Sequence, residues 1–204
     1  YDHLLIYAHG GLNDPGASAK RIRALKEGVK RNGIYPFHIM YDTGLVEELK
    51  DSVQRAFSGK RTEGFFTDWR DKLIERSDRL IEDLVRKPVT PIWEEMKNDA
   101  RRPFDSKKDG KIGDGLFVIK TFADALLDTH LKIHLAGHST GAVVLGHLLT
   151  ALDVLDIPDL IETCNLMAPA CSIDFYREHY EPRLQKQESG KTKVRLPALS
   201  IYNL

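Results

Sequence analysis

The 204-residue chain has no excess of either charge, because 30 lysines and arginines meet 30 aspartates and glutamates. Such a balance leaves no overall field to recruit nucleic acid or an anionic membrane, so no nucleic-acid partner is expected. Cysteine is scarce, with only Cys164 and Cys171. Both fall on or just after an apolar run, where free buried thiols are the expectation, and a single bridge would not make a disulfide-held secreted scaffold. No apolar stretch reaches the roughly 18 residues that span a bilayer, and the first residues lack the basic flank and apolar core of a signal peptide. No transmembrane segment is therefore expected, and the default compartment is cytoplasmic. Neither H-E-x-x-H nor a paired C-x-x-C nor G-x-x-x-x-G-K occurs, so no metal and no cofactor is expected. The stretch from Asp105 to Asp109-Gly110 has the outline of a calcium loop. Lys107 replaces its third ligand, however, and Leu116 its closing glutamate, so it reads as a polar hinge.

What is present is an alternation of strand-like and helix-like segments, which implies one domain over 1–204 built on a mostly parallel sheet with right-handed crossovers. Leu4 to Ala8 reads as a buried strand. Asp14-Pro15 and Ser18 offer helix-start chemistry, and Ile22, Leu25 and Val29 repeat at helical spacing until Gly33. Tyr35 to Tyr41 is the next strand. Asp114 precedes a helix whose buried face is Leu116, Ile119, Phe122, Ala123 and Leu126. Thr163 to Ala168 forms a further strand, Ile173 to Tyr180 a weak helix, and Ala198 to Leu204 the last strand. The chain starts almost inside a strand at Tyr1-Asp2-His3 and stops inside another, so a fragment truncated at both ends is expected.

The block 45–113 is a helical insertion, charged and carrying amphipathic stripes. Val46, Leu49, Val53 and Phe57 mark one stripe, Trp69, Leu73, Leu80, Ile81, Leu84 and Val85 a second, and Thr90-Pro91 opens a third with Ile92, Trp93 and Met96. It reads either as a lid or cap over the end of the sheet, with room for a protein partner, or as a decoration that extends the core.

The most informative segment is Gly137-His138-Ser139-Thr140-Gly141. It follows the apolar run Ile133-His134-Leu135-Ala136 and precedes Ala142-Val143-Val144-Leu145, so G-x-S-x-G stands between a strand and a helix. A serine on so sharp a turn needs small residues two before and two after it, which Gly137 and Gly141 supply. The geometry lifts the Ser139 hydroxyl above the sheet and turns the first helix amides toward an oxyanion formed there. The other reading is a glycine-rich turn whose serine only caps the helix.

A second signal is His9-Gly10-Gly11-Leu12, directly after the first strand. Together the two motifs resemble the α/β-hydrolase superfamily of serine esterases and lipases. That resemblance implies an α/β-hydrolase-like fold and a nucleophile at Ser139. It also implies an oxyanion hole made by the backbone N–H of Thr140 with that of Gly11 or Leu12. His9 reads as a histidine that braces the loop, and Gly10 and His138 as structural parts of the two motifs. The implied reaction cleaves a small-molecule or lipid carboxylic ester through an acyl-Ser139 intermediate. Esterase, lipase and peptidase are not separated.

The base and the acid are harder to place. The family order is serine, acid, histidine, and only His147 and His179 follow Ser139. His147 lies two turns into the following helix and cannot turn back over the serine, and His179 precedes the last strand; both read as surface or packing histidines. Asp174, after the strand that ends near Ala168, is either the acid or a helix cap. The expectation is that the acid and histidine lie beyond Leu204 and that this chain alone is nearly inactive. The alternative is a non-catalytic member of the fold that acts as a binding or interaction module.

Overall fold

A computed structural model describes residues 1–10, 15–40, 93–105, 113–126, 131–155, 161–184 and 193–203. Gly11, Leu12, the loop 106–112, the larger part of the 45–113 block and Leu204 lie outside the described residues. So do the amphipathic stripes at 46–57 and 69–85.

Five strands form one parallel sheet: β1 (His3–Ala8), β2 (Ile34–Ile39), β3 (Lys132–His138), β4 (Ile161–Met167) and β5 (Leu199–Tyr202). Their spatial order is β2-β1-β3-β4-β5. Every described neighbour pair is parallel, with Leu4 opposite both Tyr35 and Ile133, and Leu135 opposite Cys164. Parallel strands need long crossovers, and helices supply them. The helices are α1 (Pro15–Arg31), α2 (93–101), α3 (Asp114–Leu126), α4 (Gly141–Val154) and α5 (Ile173–His179). Pro36 is tolerated within β2 because that strand closes one end of the described sheet, where a missing N–H breaks no ladder.

Local chemistry sets several boundaries. α1 stops where Gly33 takes a left-handed φ of 74°, its N–H bonded to the Lys30 carbonyl at 3.0 Å; glycine makes that exit at no steric cost. Asp114 stands inside the first turn of α3, where a carboxylate complements the helix dipole. Ser172 opens α5, its hydroxyl accepting the Phe175 N–H at 3.1 Å.

The core lies between the sheet and α4. Leu4, Ala8, Ile133, Leu135, Cys164 and Leu166 meet Val143, Val144, Leu145, Leu148 and Leu149 of that helix. α4 has no polar face along most of its length, since it packs on β1, β3, α3 and α5 together. Met96 and Ala100 of α2 are buried as well, while Trp93 is half-buried and Ile92 lies outside the described residues. Phe37 of β2 meets Phe122 of α3 edge-on, with centroids 4.9 Å apart.

Candidate functional site

From β1 the chain crosses to β2 on one side, and later crossovers carry it to β3, β4 and β5 on the other. The order therefore reverses between β1 and β3, and in open α/β sheets the carboxyl ends of the strands flanking that point form a crevice where ligands bind. His9-Gly10 follows β1 there, and His138-Ser139 ends β3.

Ser139 takes φ 54°, a left-handed conformation that a residue with a side chain seldom adopts. Three backbone bonds hold it. Its N–H donates to the Met167 carbonyl on β4 at 2.9 Å, and its carbonyl accepts the N–H groups of Ala142 at 3.1 Å and Ala170 at 3.0 Å. The strained turn is thus fixed by the neighbouring strand end, by the loop after it and by the first turn of α4. Ala168, in that loop, is left-handed too at φ 43°. Ser139 itself is half-buried.

The glycines around it have no room for side chains. A β-carbon on Gly137 would stand 3.0 Å from the Gly141 carbonyl carbon and 3.1 Å from the Ala142 nitrogen. One on Gly141 would run into the Ala8 carbonyl at the end of β1. One on Gly10 would stand 3.1 Å from both the Ser139 Cβ and the His138 Nδ1. The structure therefore brings Gly10, His138 and Ser139 together, and packs Gly141 against β1. Thr140 is buried at the head of α4.

His9 is 5% exposed, and its Nδ1 donates to the Gly10 carbonyl at 2.8 Å. That bond ties the ring to the backbone of the next residue. His38 of β2, not singled out by sequence, has both ring nitrogens buried without a hydrogen-bond partner and lies edge-on to Tyr7 at 5.4 Å. Burial first, and His9 second, lower its pKa, so it is a neutral imidazole at pH 7. The buried Nδ1 of His138 is likewise without a partner. No motif marks His38; its one signal is a histidine near the carboxyl end of a strand beside the switch point.

The remaining residues of interest lie elsewhere. The Asp174 carboxylate, in the first turn of α5, is 95% exposed and 3.9 Å from Arg177, while Ser172 caps the helix. His147 and His179 face one another across α4 and α5, with ring centroids 5.1 Å apart, and Phe175 is 4.1 Å from His179. They line a cleft of about 500 Å³ whose wall includes Arg101 of α2. The His179 Nδ1 pairs with the Thr150 hydroxyl at 2.9 Å. Burial, then His179 and Arg101, lower His147 to about 4. These are packing histidines, as the sequence reading has them. Cys164 and Cys171 are both free thiols, and burial pushes Cys164 up to about 12. Such a thiol is no nucleophile.

Among the described residues no group of three or more His, Cys, Asp or Glu side chains is placed to hold a metal ion. Among them, too, no helix is long and apolar enough to cross a membrane. No family model matches the chain, and no curated protein matches it.

Proposed function

We propose that the chain carries the nucleophile site of an α/β-hydrolase-like serine esterase or lipase, with Ser139 as the attacking residue. The observation that carries this reading is the left-handed Ser139 on a strand-to-helix turn whose flanking glycines leave no space for a β-carbon. A serine that only capped α4 would sit in extended backbone and accept a helix N–H through its side chain. Here the residue before the helix is Thr140, with no side-chain cap bond, and Ser139 is strained. Strain at a non-glycine position persists only where the surroundings over-determine it, and it concentrates at functional sites.

In the proposed reaction the Ser139 Oγ attacks the ester carbonyl carbon and its proton passes to a base. The oxyanion is received by the Thr140 N–H together with that of Gly11 or Leu12. Collapse expels the alcohol, which takes a proton, and water then hydrolyses acyl-Ser139. The described residues hold no imidazole against the Ser139 hydroxyl, so the reading requires a base from elsewhere. The 45–113 block, as an insertion serving as lid or cap, belongs to this proposal. The test is labelling of the folded protein by a fluorophosphonate probe. Labelling that Ser139→Ala abolishes supports the reading, and a folded wild type that never labels overturns it.

The absence of a histidine bonded to Ser139 among the described residues favours one second reading, a non-catalytic fold member that binds a partner. That reading predicts no covalent labelling even at high probe concentration.

A further inference from the structure

We infer that Tyr180 is a positioning residue for the Ser139 site, holding the first turn of α4 from behind and polarising its leading amide toward the serine. The inference rests on the hydrolase reading above. Tyr180 follows α5, is 0% exposed, and donates its hydroxyl to the Ala142 carbonyl at 2.5 Å. That carbonyl shares a peptide group with the Val143 N–H, which donates to the Thr140 carbonyl at 2.9 Å. The Thr140 carbonyl in turn shares a peptide group with the Gly141 N–H. As the first amide of α4, that N–H has no acceptor inside the helix. Hydroxyl, Ala142–Val143 peptide and Thr140–Gly141 peptide thus run head to tail. In such a chain each bond strengthens the next. Its far end is the Gly141 N–H, one residue beyond the Thr140 N–H assigned to the oxyanion, and at a helix N-terminus the two amides add to one positive field where negative charge would develop during acyl transfer.

Packing alone does not explain the hydroxyl. Ala142 lies inside α4, so its carbonyl already has the acceptor role that the helix ladder gives it, and the tyrosine adds a second donor. A phenylalanine would fill the same core volume without a polar group to desolvate. Burial holds the Tyr180 pKa well above its ordinary value, so the hydroxyl keeps its proton and stays a donor. The tyrosine is itself anchored on both sides. Its N–H bonds to the Tyr176 carbonyl at 2.9 Å, and its carbonyl accepts the Arg183 N–H at 3.0 Å. Arg183 grips Asp153, at the far end of α4, with two bonds of 2.6 Å. One short segment therefore clasps both ends of the helix that begins at the serine turn.

The test is Tyr180→Phe in the full chain, read by amide proton shifts and by the rate of fluorophosphonate labelling at Ser139. The Val143 and Gly141 amide protons should move upfield by more than those of remote residues. Labelling should slow by about 3- to 10-fold, a fraction of the 10²- to 10³-fold that follows loss of a whole oxyanion donor. Amide shifts that do not move, or labelling at the wild-type rate, overturn the inference. If Tyr180→Phe does not fold, 3-fluorotyrosine at position 180 makes the donor more acidic without removing it. The same two amides should then move downfield, and their immobility overturns the inference equally. A wild type that never labels overturns the hydrolase reading instead, while the amide shifts still decide whether the relay exists.

Discussion

Gly10 and Ser139 touch: a β-carbon placed on the glycine would stand 3.1 Å from the serine Cβ. The end of β1 and the end of β3 thus meet beside the candidate nucleophile, with no room there for a side chain on Gly10.

Gly10→Ala should therefore act on reactivity more than on folding. The contact is tight but not prohibitive, and adjustment of the neighbours costs about 1–3 kcal/mol, as overpacking does elsewhere. Fluorophosphonate labelling of Ser139 should fall by at least about tenfold while the circular dichroism spectrum is unchanged. Labelling at the wild-type rate would show that a methyl at position 10 does not crowd the serine.

Ser139→Gly should raise stability as it removes the candidate nucleophile. Left-handed backbone costs a residue with a side chain about 1–2 kcal/mol, which glycine avoids, although glycine's freer unfolded state offsets part of that gain. Ser139→Ala keeps the strain. Denaturant melts should therefore rank Ser139→Gly above Ser139→Ala, and the reverse order would contradict a strained turn.

Asp153→Ala should be among the most damaging single changes. It strands the Arg183 guanidinium, 2% exposed and bonded twice to that carboxylate, and it removes the acceptor of the Val194 N–H at 2.7 Å. Breaking one side of a buried pair costs about 3–5 kcal/mol. Replacing both residues by apolar ones should restore part of that loss in thermal melts. A wild-type melting temperature in Asp153→Ala would contradict this account.

Stability should fall as pH drops from about 6.5 toward 4. His147 is held to about 4, chiefly by burial, whereas in the unfolded chain it titrates near 6.5. Between those values the unfolded state binds more protons, so acid favours it, and above the window His147 contributes no slope. His179 is lowered in the same direction, burial again the first cause. His147→Phe should flatten the melting-temperature profile across this range. An unchanged slope would assign it to other groups.

Much of the sheet is legible in the sequence because buried runs declare themselves. Leu4 to Ala8 and Ile133 to Ala136 lie within β1 and β3, and Ile173 opens α5 as its pattern predicts. Strand ends are less legible. Thr163 to Ala168 is expected where Ile161–Met167 is found, because the left-handed Ala168 ends the ladder and apolarity does not report φ. The strand expected to reach Tyr41 stops at Ile39, for the same run of aromatic residues continues past the last paired register. At the site, spacing alone announces Gly137, Ser139 and Gly141. The approach of Gly10 to Ser139, the Tyr180 bond to Ala142 and the Arg183 clasp on Asp153 join residues far apart in sequence. No local pattern encodes such meetings.

The central pairing of the sheet sets His3 opposite Lys132, so one of its first requirements is the closure of a very long loop. Closure entropy grows only with the logarithm of length, about 0.6 kcal/mol for each doubling. Lengthening the chain between β2 and α2 by a few tens of residues should thus cost less than one such doubling, whereas cutting into α2 would remove the buried Met96 and Ala100. The kinetic consequence is different. Pairings this distant make for slow folding, and until β1 finds β3 the apolar β3 and β4 lack a complete sheet. Slow assembly of the sheet then follows from the strand order rather than from any weakness of the finished core.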